Sequence, residues 1–372
     1  MQWGQGMSDP LAPPAPPFCP NPHCIFHRSD RPRWRYVRTG FFTRQCPPRR
    51  IQRYRCLHCA RHFSAQTFSA SYWLKHPELL VPIFHRLLGC SAFRQIAREF
   101  EISPTTVLTH SARLGRHCLL FHELNRPRGA LPEPLALDSF VSFEYSQYWP
   151  TAFHLAAGTQ SHFFYGFTDS ELRRSGRMTR AQRRRRSRLE ERLGRPDPRS
   201  VEREVAGLLA LVAPQPQALE LHTDEHQDYP RALRRLPHLK VTHRTTSSRA
   251  ARTVRNPLFP INLLDLLIRH SGANHKRETI AFSKRRQSAA ERLAVLLVWR
   301  NYLKSFSERK RDATPAMRLG LCERRLRVAD VLAHRLFFTR IGLPERWARY
   351  YQRVVPTRSI PHGAQHRLRY AA

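Results

Sequence analysis

Leu135-Ala136-Leu137-Asp138-Ser139-Phe140-Val141-Ser142-Phe143 reads as an apolar strand interrupted by a single carboxylate. A core strand seldom carries an acid, because removing a carboxylate from water is costly unless something pairs with it. In a chain with 28 Asp and Glu against 64 Lys and Arg, an acid at such a place invites a functional reading. Outward from it, Ala152 to Ala157 and His162 to Phe167 are two more strand candidates. Ser200 to Val212 then places Val201, Val205, Leu208, Leu209 and Val212 on one helical face. Beyond that helix, Ala218-Leu219-Glu220-Leu221-His222-Thr223-Asp224 sets a second acid where a strand ends, and Leu239 to His243 is a short further strand. The order predicts an α/β domain in which three antiparallel strands precede alternating helices and strands.

Upstream, two close cysteine pairs stand in Cys19-Pro-Asn-Pro-His-Cys24 and Cys56-Leu-His-Cys59. Four thiolates delivered as two knuckles match a tetrahedral zinc, so Cys19, Cys24, Cys56 and Cys59 are the expected ligands of a zinc ribbon. Trp34, Tyr36, Phe41, Phe42 and Tyr54, interspersed with arginine, suit short strands with basic side chains turned outward, a surface for touching DNA or for docking. Cys46, Cys90, Cys118 and Cys322 read as buried small hydrophobes, with Cys46 a possible substitute ligand. Met1 to Pro17 is Pro-rich, with nothing to pack and no signal-peptide pattern; it reads as a disordered lead-in.

The formal net charge of +36 attracts a polyanion, and nucleic acid is the expected partner. A ribosomal or histone-like protein would share that charge, but 372 residues suffice for roughly two or three domains with their own cores. No apolar stretch approaches the roughly 20 residues needed to cross a bilayer; Leu293 to Trp299 is closed by Arg292 and Arg300. These features point to a soluble, intracellular protein with reduced thiols and no membrane partner.

Between the ribbon and the first strand, Tyr72 to Phe121 has helical character, broken near Gly89-Cys90-Ser91 and at Glu101-Ile102-Ser103-Pro104. That outlines a helix-turn-helix. Its second helix runs from Phe93 to Phe100, with Ile96, Ala97 and Phe100 buried and Ile102 plugging the turn. Ser103 caps the third helix and Pro104 opens it. Thr105, Thr106, Thr109, His110 and Arg113 would line its start and exposed face, with Arg94 on the preceding helix. An ordinary helical hairpin is the alternative.

Ribbon, helix-turn-helix and two aspartates on apolar strands, in this order, resemble bacterial insertion-sequence transposases with an RNase H-like DDE domain, and the likeness covers most of the chain. It extends to Asn256-Pro257-Leu258-Phe259-Pro260-Ile261-Asn262, to Arg277 through Lys284, and to Ala313-Thr314-Pro315-Ala316. The resemblance implies a transposase that binds double-stranded transposon ends and target as a homodimer or larger synaptic assembly. It also implies three carboxylates around catalytic Mg2+ or Mn2+, with Asp138 and Asp224 as the first two. The third departs from the pattern, because Asn262 stands where the family has its glutamate. Asp265, 41 residues after Asp224 (265 − 224) and one helical turn beyond Asn262, is the favoured substitute; Glu278, beside Lys276 and Arg277, is the alternative. Buried among Leu263, Leu264, Leu266 and Leu267, Asp265 would need a partner. His222, His226 and His243 are candidates to orient a water or a leaving oxygen.

Leu172 to Arg195 holds eleven arginines, including Arg183-Arg184-Arg185-Arg186, and reads as a phosphate clamp; a solvated charge run is the alternative. The expected organisation is lead-in 1–17, zinc ribbon 18–70, helix-turn-helix 71–125, RNase H-like domain 126–305 with a basic insertion at 172–195, and a helical C-terminal appendage 306–372 for dimerisation or DNA ends. The competing function is a sequence-specific DNA-binding regulator derived from a transposase, with catalysis lost at Asn262. An RNA-binding structural protein is disfavoured, since it would not need acids on strands.

Overall fold

Along Arg50-Ile51-Gln52-Arg53-Tyr54-Arg55-Cys56 the residues two apart, Gln52, Tyr54 and Cys56, are buried on one face while Arg53 and Arg55 stand in water, and pairing on both sides makes this the central strand of an antiparallel meander. The computed structural model describes residues 15–28, 34–309, 311–334 and 336–360. The expected lead-in therefore lies outside the described residues up to position 14, as does the tail beyond 360. The described chain divides into two compact units, one reaching Leu80 and taking in Leu332–Gly342, the other Val81–Val331 with the chain from Leu343 onward.

The first unit contains a single helical turn, α1 (Ile25–Arg28), then β1 (Tyr36–Thr43), β2 (Arg50–Cys56) and β3 (His62–Ser64), in sheet order β1-β2-β3. Its small core is aromatic. Tyr54 stacks on Phe63 with ring centroids 5.4 Å apart, and Phe18 meets Phe68 and Phe337 edge-on at 5.3 and 5.0 Å.

The second unit opens with α2 (Leu80–Leu88), α3 (Phe93–Glu99) and α4 (Pro104–Asn125). The expected helix from Tyr72 is corrected here: helix begins only at Leu80, after a tight turn at Pro77–Leu79, because Pro77 has no N–H to give to a preceding turn. The breaks fall as expected. Ser103 Oγ accepts from the Thr105 N–H at 3.2 Å with Pro104 next, and Ile96 and Ala97 are buried.

Next come β4 (Leu135–Phe143), β5 (Pro150–Gly158), β6 (Phe164–Glu171), α5 (Arg180–Leu193), α6 (Ser200–Val212), β7 (Gln217–Thr223), α7 (Asp228–Leu233), β8 (Leu239–Thr245), α8 (Phe259–Ser271), α9 (Arg286–Val298), α10 (Pro315–Arg318), α11 (Val328–Leu332) and α12 (Glu345–Gln352). The five strands form one mixed sheet ordered β6-β5-β4-β7-β8. β5 runs antiparallel to both β4 and β6, while β7 runs parallel to both β4 and β8. The third strand starts at Phe164 rather than His162, since Glu133 accepts the Gln160 and Ser161 N–H groups at 2.8 Å and holds the turn closed.

Side-chain alternation assigns the faces. Asp138 shares one face with Phe140, which stacks on Phe153 at 5.3 Å, and with Phe167, which stacks on Tyr350 of α12 at 5.5 Å. Ser139 shares the other face with Thr168, which donates to the Glu204 carbonyl of α6 at 2.7 Å. The stretch expected as a C-terminal appendage thus contributes to the sheet's core: Trp347 is fully buried and its indole N–H donates to the Phe167 carbonyl at 3.0 Å. Asp169, also fully buried, meets Arg286 at 3.2 Å and Arg346 at 2.7 Å. Burial alone would raise that carboxyl, but the two guanidiniums outweigh it and hold it below the ordinary range. α4 and α9 touch at Gly115, where an added Cβ would lie 2.5 Å from the Glu291 carbonyl oxygen. Among the described residues no helix is long and apolar enough to cross a membrane.

Candidate functional site

β4 and β7 pair in parallel at Leu135 with Leu221 and Ala136 with His222, and the pairing stops there. Asp138, within β4, and Asp224, the residue that follows β7, each stand two residues beyond the last residue of that pairing in their segment. This is where the strand order reverses direction, a place at which open α/β sheets commonly bind their ligands. α8 packs across β4 and β5 and carries Asp265.

Asp224 and Asp265 both act electrostatically on Asp138. Asp138 is raised from 3.8 to about 6, first by burial and then by the negative charges of Asp224 and Asp265; the Ser139 N–H, 2.7 Å from Oδ1, and Arg252 pull the other way. Asp224 Oδ1 accepts from the His226 N–H at 3.0 Å. Asp265, expected among buried leucines, is half-buried beside the exposed Leu266, and it pairs with Arg269, whose Nε donates to its two oxygens at 3.1 and 3.0 Å. Asn262 is half-buried one turn earlier on α8, and Glu278 is exposed beyond that helix. Among the described residues the three carboxylates do not close to within the 4.8 Å that groups the four thiols described below.

Several neighbours escaped the sequence reading. Tyr229 of α7 is buried beside Asp138 and Asp224, hydrogen-bonded to the Ser139 side chain, and burial with those two charges pushes its phenol well above the usual range. Ser139 Oγ meets His154 Nδ1 at 2.6 Å, and His154 Nε2 meets Ser170 Oγ at 2.9 Å, a polar chain across β4, β5 and β6. Burial lowers His154 to about 4, so it is neutral at physiological pH. A histidine inside the apolar run Ala152 to Ala157 was the only available signal. The three histidines that were singled out serve local roles: His243 Nε2 meets Thr223 Oγ1 at 2.8 Å, His222 faces Glu220 at 3.2 Å, and His226 is exposed.

On the helix-turn-helix, Arg94 and Thr105 are exposed and Thr106 and Arg113 half-buried. His110, expected on the exposed face, is instead 2% exposed, its Nδ1 2.8 Å from the Thr106 carbonyl, because α4 packs against both α3 and α9. The arginine-rich insertion folds as α5, capped by Thr179 and with no buried residue. Arg183, Arg184 and Arg185 are exposed. Arg186 is turned inward, donating to the Arg174 carbonyl at 2.9 Å and lying 3.6 Å from Glu190.

In the first unit the Sγ atoms of Cys19, Cys24, Cys56 and Cys59 all lie within 4.8 Å of one another and could hold a structural zinc. Burial raises Cys56, but N–H groups of Cys59 and His58 and the Trp34 indole, 3.3 Å from its sulfur, bring it down to about 7 overall, suiting a thiolate ligand. Cys46 stands apart from the group, its thiol 3.9 Å from the Leu74 carbonyl. Of the other cysteines only Cys118 is fully buried; Cys46, Cys90 and Cys322 are half-buried, a correction to the expectation for them.

Comparison with protein-family models and with curated proteins finds no match to this chain. Among solved structures, the chain is similar to a cryo-EM structure of a simian T-cell lymphotropic virus intasome in complex with the PP2A regulatory subunit B56 gamma, at 15% identity over 62% of this chain and 69% of that one, with a TM-score of 0.25. A likeness at that TM-score carries no argument about the function of this chain.

Proposed function

We propose that this chain is a DNA transposase of the bacterial insertion-sequence type, in which Asp138, Asp224 and Asp265 form the catalytic acid set of an RNase H-like domain. The observation that carries the reading is that β4 with Asp138, the end of β7 with Asp224 and the helix α8 with Asp265 are packed as neighbours although the latter two acids lie 86 (224 − 138) and 127 (265 − 138) residues from Asp138; the charges of Asp224 and Asp265 also raise Asp138. Mutual repulsion of partly buried carboxylates stabilises nothing by itself, and a divalent cation relieves it. The donor set, oxygens only, fits magnesium or manganese. Such ions held there would supply charge neutralisation for phosphoryl transfer at DNA. The sheet order and the position of α8 support the RNase H-like assignment, and the cysteine group supports a zinc ribbon.

In this reading the exposed residues of the helix-turn-helix, Arg94 and Thr105 foremost, contact the double-stranded transposon end, while Arg183, Arg184 and Arg185 grip phosphates. Synapsis of two ends requires a homodimer or larger assembly. A second reading, a DNA-binding regulator without catalysis, is favoured by one observation: Asp265 is already committed to Arg269 through both oxygens. The two readings part in a cleavage assay on labelled DNA carrying the element's terminal repeats. Magnesium-dependent nicking by the wild type, lost in Asp138→Asn and Asp265→Asn but kept in Glu278→Gln, supports the transposase; repeat-specific binding with no nicking supports the regulator.

A further inference from the structure

The ribbon unit has a groove of about 1190 Å³ that the metal centre does not use, walled by Phe42, Tyr72 and Trp73 and rimmed by Arg44, Arg53 and Lys75. Trp73 is 76% exposed, an unusual position for the largest apolar side chain. Its backbone is left-handed, with φ of 60°, which bulky residues rarely adopt.

The turn that presents it is built rather than loose. The Ser71 N–H donates to Ser69 Oγ at 3.1 Å, the buried Gln66 donates to Ser71 Oγ at 2.7 Å, and the Tyr72 and Leu74 N–H groups reach the Ser69 and Ser71 carbonyls at 3.1 and 3.0 Å. Leu74, 6% exposed, anchors the far side. Trp73 therefore stands between two buried supports. The lining's one acid, Glu78, is 3.1 Å from His76, while Arg53 and Lys75 are exposed. Aromatic faces flanked by exposed cations are complementary to bases flanked by phosphates. A duplex presents its bases already stacked, so an indole gains most from bases that are unpaired.

We propose that this groove binds unpaired nucleotides of single-stranded DNA, with Trp73 stacking on a base and Arg53 and Lys75 contacting phosphates. The proposal stands on the ribbon unit alone and does not depend on the catalytic reading. It is tested with the full chain and fluorescein-labelled oligothymidylate of about 12 residues, read by anisotropy beside a labelled duplex. Trp73→Ala should weaken oligothymidylate binding by about fivefold or more and leave duplex affinity within about twofold, while Trp73→Phe keeps most of the binding. Zinc content and melting temperature matching the wild type establish that the variants fold. Wild-type affinity for oligothymidylate in Trp73→Ala, equal losses on duplex and single strand, or no binding of oligothymidylate by the wild type would each overturn the proposal.

Discussion

Replacing Asp138 by asparagine should make the metal-free protein more stable while destroying its proposed activity. The ionised carboxylate is disfavoured by burial and by Asp224 and Asp265, which raise its pKa from 3.8 to about 6. At about 1.4 kcal/mol per pH unit, that difference makes ionised Asp138 cost the fold about 3 kcal/mol. Because the folded-state pKa lies above the unfolded one, the folded state binds the proton more tightly. Stability from this group is fully present below about pH 4, is lost as pH rises to about 6, and stays lost above. The substituted amide carries no such charge, and its oxygen can still accept from the Ser139 N–H. Urea unfolding of both proteins in chelator should therefore show the variant ahead by about 3 kcal/mol at pH 8, with the gap closing towards pH 4. Added Mg2+ should stabilise the wild type selectively. A variant less stable than wild type at pH 8, or a gap independent of pH, would refute the electrostatic reasoning.

Cys56→Ser should reduce bound zinc from about one per chain to nearly none, measured by atomic emission on purified protein, with unfolding of the ribbon. Gly115→Ala should lower stability by about 1–3 kcal/mol, since its Cβ would stand 2.5 Å from the Glu291 carbonyl oxygen and two packed helices would have to part; denaturant titration reads this. Arg183→Gln with Arg184→Gln should flatten the dependence of log duplex affinity on log salt by about two, with little change in sequence preference; an unchanged slope would make α5 a solvated charge run.

What the sequence revealed, and what it hid, divides along the range of the interactions involved. The strand Leu135–Phe143 and the helix Ser200–Val212 appear with the expected bounds, because each was written in local periodicity. The Ser103-Pro104 helix start was likewise a local signal. His110 was misplaced because its burial depends on α9, distant in sequence, packing where a free helix face was assumed. The integration of α12 was invisible for the same reason: the arginine-rich stretch around Trp347 looks like a surface helix until Phe167 and Asp169 are set against it. Tyr229 carried no signal at all. Its burial beside Asp138 and Asp224 depends on α7, which packs against α6, a placement that no local pattern encodes.

Asp138, Asp224 and Asp265 are proposed to hold one divalent-metal site together. Titration of Mn2+ into zinc-loaded protein, followed by the loss of the free-ion paramagnetic resonance signal, tests it directly on the wild type, Asp138→Asn, Asp224→Asn, Asp265→Asn and Glu278→Gln. Binding is expected in the wild type and Glu278→Gln, with its loss in each of the three aspartate variants. Binding that survives all three aspartate changes, or that disappears with Glu278→Gln alone, would contradict it.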